Sequence, residues 1–211
     1  METSKLLHTF NEHKDSVWCV DISPLQSYSF NDDNNKSNSI GLIGGNGYTI
    51  CSGSADKTIS IWDIETTKQC SVLKGHEEKI TCVKYGLHEN LIFSSSSDKS
   101  IRLWDLRSGK QVQIFNGHIK SVNVVEYSPL VTRNNYNVIC SGADDGIVRF
   151  WDIRTNKKRL HVIKGDNKGE DKILCIKFFQ LKNKIKQKSD TSDCIKLCYG
   201  SSNGFIRIWG Q

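Results

Sequence analysis

Short runs of four to seven residues, either apolar or alternating apolar with polar, recur along the whole chain and are separated by Gly, Ser, Asn and Asp. Between Lys79 and Phe115 they read KITCVKYG, NLIFSSSS, SIRLWD and QVQIF. None is long enough, or apolar at helical spacing, to form an amphipathic helix, so each predicts a β-strand bounded by turn residues. The pattern predicts an all-β, single-domain chain over residues 1–211, built from four units at about 11–73, 74–115, 116–163 and 164–210. KLLHTF resembles the runs QVQIF and RLHVI that end a unit. It therefore predicts a strand over residues 5–10 belonging to a preceding or closing unit. FIRIWGQ matches a third run, so one strand, three sets of four and a final three predict sixteen strands.

Fixed residues mark the units. Trp-Asp occurs at Trp62-Asp63, Trp104-Asp105 and Trp151-Asp152, and a degenerate Trp209-Gly210 follows, at steps of 42, 47 and 58 residues. Upstream lie Gly75-His76 and Gly117-His118, with weaker counterparts at Glu12-His13 and Gly165-Asp166. Four strands per unit with these marks resemble the WD40-repeat family, whose units are blades of a β-propeller. The resemblance extends over about residues 5–210. It implies that a His at the blade entry, a Ser in the second strand, an Asp in the next tight turn and the Trp are hydrogen-bonded together. Those positions are His13, Ser52, Asp56 and Trp62 in the first unit, and His76, Ser94, Asp98 and Trp104 in the second. In the third they are His118, Ser141, Asp145 and Trp151. Buried polar groups need partners, which is why such a set travels together. The fourth unit has Asp166, Tyr199, Asn203 and Trp209 at these places, so its network cannot form and that blade should be looser.

These His, Ser and Asp residues match a hydrolase triad in type. Catalysis needs one such constellation in a cleft, whereas three at repeat spacing are structural. No P-loop, nucleophile elbow, HExxH or glycine-rich strand–helix turn is present, so the chain reads as a non-enzyme without cofactor.

Family members have about seven blades, roughly 51° apart, so four cover little more than half a circle. That geometry favours an incomplete or open propeller. A fragment of a longer array, an assembly completed by another chain and a four-blade ring all remain open, and an open arc implies self-association through its uncovered faces.

Composition narrows the picture. The net charge is +6, yet 12 basic and 5 acidic side chains fall between Lys157 and Lys196, so the excess belongs to that stretch. Its loop with Lys182, Lys184, Lys186 and Lys188 lacks interleaved aromatics and is followed by Asp190 and Asp193, which disfavours nucleic acid. No stretch approaches the roughly 18 apolar residues of a membrane span, and METSKLLHTFNEH has no apolar signal-peptide region. A cytoplasmic or nuclear protein, not secreted, is the expectation. Of eight cysteines, Cys19, Cys82 and Cys175 recur in the first strand, and Cys51, Cys140 and Cys198 in the second. Recurrence inside apolar runs predicts small core residues, neither a disulfide framework nor a metal site.

The insertions between first and second strands (24–47, PLVTRNNYN and QLKNKIKQKSDTSD) share one rim and read as solvated loops. The resemblance places peptide binding on the opposite, short-loop rim. Its candidates are Ser16, Trp18 and Ala55; Lys79, Thr81 and Ser97; Ser121, Asn123 and Asp144; Lys172, Leu174 and Ser202. Trp18 is the one large aromatic, either an interface anchor or a residue buried between blades. Trp104-Asp105-Leu106-Arg107 and Trp151-Asp152-Ile153-Arg154 resemble the motif that docks some members on the adaptor of cullin-type ubiquitin ligases, making Arg107 and Arg154 candidates. The expected function is a non-catalytic scaffold for other proteins or peptides. The alternatives are a regulatory sensor segment of a larger, NTPase-linked protein, or a ligase substrate receptor.

Overall fold

A computed structural model describes residues 4–23, 49–86, 90–128, 138–154, 159–165, 171–180 and 195–210. The three insertions, the Lys182–Lys188 loop, Asp166 and Cys194 lie outside these residues. The described chain is all-β. Sheet one holds β1 (Val17–Ile22), β2 (Thr49–Ser54), β3 (Thr58–Asp63) and β4 (Gln69–Lys74). Sheet two holds β5 (Ile80–Tyr85), β6 (Leu91–Ser96), β7 (Ser100–Asp105) and β8 (Lys110–Asn116). Sheet three holds β9 (Val122–Tyr127), β10 (Val138–Ala143), β11 (Ile147–Asp152) and β12 (Arg159–Lys164). Sheet four holds β13 (Ile173–Gln180), β14 (Ile195–Ser201) and β15 (Ile206–Trp209). Every sheet is an antiparallel meander in which consecutive strands pair, as in a propeller blade.

Each sheet has two distinct faces because side chains alternate along a strand. The face carrying Ser94 and Trp104 in sheet two packs on Ile59, Ile61 and Leu73 of sheet one. Likewise Val125, Ile139 and Trp151 of sheet three pack on Ile101, Leu103 and Phe115 of sheet two. Ile176, Leu197 and Tyr199 of sheet four pack on Cys140, Val148 and Phe150 of sheet three. The core is thus three like-built layers between four stacked blades, and among the described residues no sheet packs on the outer face of the first or the last.

The hairpin after each second strand turns through a left-handed residue: Lys57, Lys99, Gly146 and Gly204, with φ of 69°, 71°, 72° and 80°. Its N–H donates to the carbonyl three residues back in all four blades. The preceding Asp or Asn sits at the tip, which aims Asp56, Asp98 and Asp145 at the neighbouring blade entry.

One sequence expectation is corrected, at Cys175. Residues 5–10 pair with no strand among the described residues. Fifteen strands are therefore found among the described residues. Cys175 is exposed and not a core residue: it lies on the face of sheet four that no further blade covers, whereas Cys51 and Cys140 are fully buried.

Candidate functional site

In each of the first three blades a continuous hydrogen-bonded chain runs from indole to carboxylate. The Trp62 Nε1–H donates to Ser52 Oγ at 2.7 Å, Ser52 lies 2.8 Å from His13 Nε2, and His13 Nδ1 lies 2.9 Å from Asp56. The same steps measure 2.8, 2.8 and 2.6 Å through Trp104, Ser94, His76 and Asp98. They measure 2.8, 2.8 and 2.9 Å through Trp151, Ser141, His118 and Asp145. The indole can only donate and the carboxylate only accepts, so Nδ1–H donates to the Asp in each set. With a neutral imidazole, the Ser hydroxyl donates to Nε2 while accepting from the indole.

Electrostatics agree. Burial lowers the His76 pKa and outweighs the raising effect of Asp98. Burial alone would raise the Asp98 carboxyl, but hydrogen bonds from His76 and Ser100 and from the Glu77 N–H prevail and hold it well below the usual carboxylate range. Asp56 is held low in the same way by Thr58, the Lys14 N–H and His13, and Asp145 by His118 and the Ile119 and Ile147 N–H groups. The side chains of all three His are almost wholly buried, and each Ser hydroxyl is engaged twice, by the indole and by the imidazole.

Blade four is built differently. Tyr199 is buried where the others have Ser, and its hydroxyl has no hydrogen-bond partner among the described residues. Asn203 is exposed in the turn, and Trp209 is 41% exposed. The Arg207 guanidinium pairs with Asp171 at 3.1 Å, whereas the matching Arg102 and Arg149 reach the turn Asp98 and Asp145 at 3.5 and 3.9 Å.

The rim candidates gather at the ends of the first strands and at the following turns. Thr81 donates to the Val122 carbonyl of the next blade and lies 2.9 Å from Ser95 Oγ. Ser97 and Ser121 lie 3.0 Å apart. Asn123 donates to Asp144 at 2.7 Å and to the Ile173 carbonyl at 2.9 Å. Lys172 pairs with Asp144 at 3.2 Å. The Ser16, Lys79, Ser121 and Lys172 carbonyls accept the N–H groups of Ala55, Ser97, Asp144 and Ser202, a tie repeated in all four blades. Trp18 is 55% exposed, and the Lys79 ammonium stands 4.0 Å from its ring centroid. It is therefore not buried between blades. Leu174 is also exposed. The Lys79–Trp18 stacking was invisible in the sequence, because the two residues lie on different sheets.

Arg107 and Arg154 are exposed on the opposite rim. The Arg154 guanidinium already lies 3.6 Å from Asp152. No group of three His, Cys, Asp or Glu able to hold a metal occurs among the described residues. No described helix is long and apolar enough to cross a membrane.

Residues 4–63, 67–105 and 109–152 match the family described as "WD domain, G-beta repeat". A Mitogen-activated protein kinase kinase kinase A of Dictyostelium discoideum is 32% identical over 84 residues, which are 40% of this chain and 7% of that protein. The match thus spans a small part of that relative's length.

Proposed function

This chain belongs to the WD40-repeat family, and from that premise we propose that it is a non-catalytic scaffold whose short-loop rim holds a protein or peptide partner. The observation that supports this most is Trp18: a large aromatic left half exposed, under the Lys79 ammonium, at the edge of a row of side chains fixed by their neighbours. Groups already held in place lose little freedom when a partner arrives, so more of the contact energy remains as affinity. Trp18 would supply apolar area, and Lys79, Asn123, Asp144 and Lys172 a polar surround. The buried His–Ser–Asp sets favour a structural over a catalytic role.

The experiment is affinity capture from cells with mass-spectrometric identification, comparing the unsubstituted chain with Trp18→Ala and Asp144→Ala. A partner retained by the first and lost by both variants supports the rim. A partner set unchanged by either substitution refutes it.

A second reading is favoured by the kinase relative, in which the matching stretch is a small part of a far longer protein. In that reading this chain would act as the partner-sensing part of a multidomain protein. Docking on a ligase adaptor through Arg107 and Arg154 has less support, since Arg154 would have to leave Asp152.

A further inference from the structure

One charged residue on the first strand of each blade alternates in sign along the stack: Asp21, Lys84, Glu126 and Lys177. The four occupy a single position, since they pair with Cys51, Phe93, Cys140 and Cys198, each the residue before Ser52, Ser94, Ser141 and Tyr199. They meet across the blades. Lys84 Nζ lies 3.3 Å from Asp21, and Lys177 Nζ donates to Glu126. Asp21 also accepts the N–H of Tyr85 at 2.9 Å, so its carboxylate holds the backbone of blade two as well. Burial lowers the Lys84 pKa, but the Asp21 and Glu126 carboxylates prevail and raise it, so one ammonium feels both neighbouring blades. The side chains of Asp21, Lys84 and Glu126 are 24%, 26% and 16% exposed, so solvent screens them less than it does surface pairs.

The apolar layers between the blades carry no such distinction. Ile61 shares a core with Val83, Leu103 with Val125, and Phe150 with Ile176. Each layer sets a large apolar residue of one blade against a β-branched one of the next, and burial of this kind is non-directional. By its apolar face alone, blade one would accept blade three much as it accepts blade two. The charged row separates the two cases. With one blade skipped, Asp21 would face Glu126, or Lys84 would face Lys177, like charges in a half-buried place. The exposed pair of Lys57 with Glu78 obeys the same rule. Glu78 lies two residues after His76, and the residue two after His118 is Lys120, which would repel Lys57.

We propose that the row Asp21, Lys84, Glu126 and Lys177 specifies blade order, favouring each blade against its neighbour in the chain and opposing it against the next but one. Units of like shape misassemble by docking on the wrong copy, within a chain or between chains. Repulsion built against the wrong pairing supplies the specificity that the apolar layers lack. Lys84 stands at the centre and acts on both sides, so the row works as one unit and not as two separate ion pairs.

The test joins urea unfolding with refolding of the full 211-residue chain. Exchanging the charges of one pair, with Glu126→Lys and Lys177→Glu, would leave an isolated ion pair intact. In the row it sets the new ammonium beside Lys84, and the folding constant should fall about tenfold. Adding Lys84→Glu and Asp21→Asn restores alternation over blades two to four and keeps an acceptor for the Tyr85 N–H. That four-site variant should recover most of the loss. Lys84→Met keeps the stem and removes the charge. On dilution from urea it should add a refolding phase slower than those of the unsubstituted chain, as blades docked out of order come apart. Unchanged stability of the two-site exchange, or no recovery in the four-site variant, overturns the proposal. So does refolding of Lys84→Met in the same phases as the unsubstituted chain.

Discussion

A Cβ on Gly142 would stand 2.4 Å from Cγ2 of Ile173, in the adjacent blade. Gly53 bears the same relation to Ile80 two layers earlier. In both places the first strand of one blade lies so close over the second strand of its neighbour that no side chain fits between them.

Gly142→Ala should therefore destabilise the protein by about 1–3 kcal/mol, the range for overpacking a core. At Gly200, the equivalent position on blade four, the added Cβ would meet, among the described residues, only Cys175 Sγ within 4 Å, a side chain of its own sheet. Gly200→Ala should cost less. Urea unfolding of both variants checks the difference, and equal midpoints would contradict close packing between blades.

The indole-to-carboxylate chain makes a second prediction. His76→Ala or Asp98→Ala leaves buried partners unpaired and should cost about 1–3 kcal/mol. Ser94→Ala interrupts the chain at its middle, where one hydroxyl meets both the Trp104 indole and His76, and should cost a similar amount. Thermal melting that all three leave unchanged would show the network to be energetically idle.

Acid should weaken the fold in two stages. His76 has a lowered folded pKa, so as pH falls through about 6.5 the unfolded chain takes up a proton before the folded one, and stability drops. Asp56, Asp98 and Asp145 have depressed folded values, so the stability they give is present above about pH 4 and lost as acid protonates them. Calorimetry from pH 8 to 3 should show Tm falling modestly near pH 6 and more steeply below 4. Asp98→Asn should reduce the second fall. A Tm that rises on acidification would contradict the assignment.

Tyr199 supplies a fourth prediction. Its hydroxyl is buried without a partner among the described residues, so Tyr199→Phe removes a desolvation cost while keeping the ring packed on blade three. Stability should rise, by about 1 kcal/mol, in chemical denaturation. A loss of stability would place a hydrogen bond on that hydroxyl.

Much of this was legible along the chain, and for local reasons. Strand alternation and turn residues act over a few neighbours, so the four-strand units could be placed from the runs alone. The Ser, Asp and Trp positions recur at fixed offsets and a His marks the entry of each of the first three units, where all four come within hydrogen-bond distance. Cys175 was misjudged because it occupies the position of Cys19 and Cys82, where burial comes from the next blade, and no described sheet stands opposite it. Trp18 could not be placed, since its stacking under Lys79 depends on how one sheet rests on another.

The runs of strand and turn residues placed four β-units, because such patterns act over a few neighbours, and the resemblance to the WD40-repeat family implied which side chains bond in the first three. Tertiary structure alone decided which apolar positions are covered. Val20 and Val83, or Ile208 and Leu103, hold like residues at like positions, yet one of each pair is exposed and the other buried. Burial is a property of what lies opposite a side chain, and no residue's own neighbourhood along the chain records it.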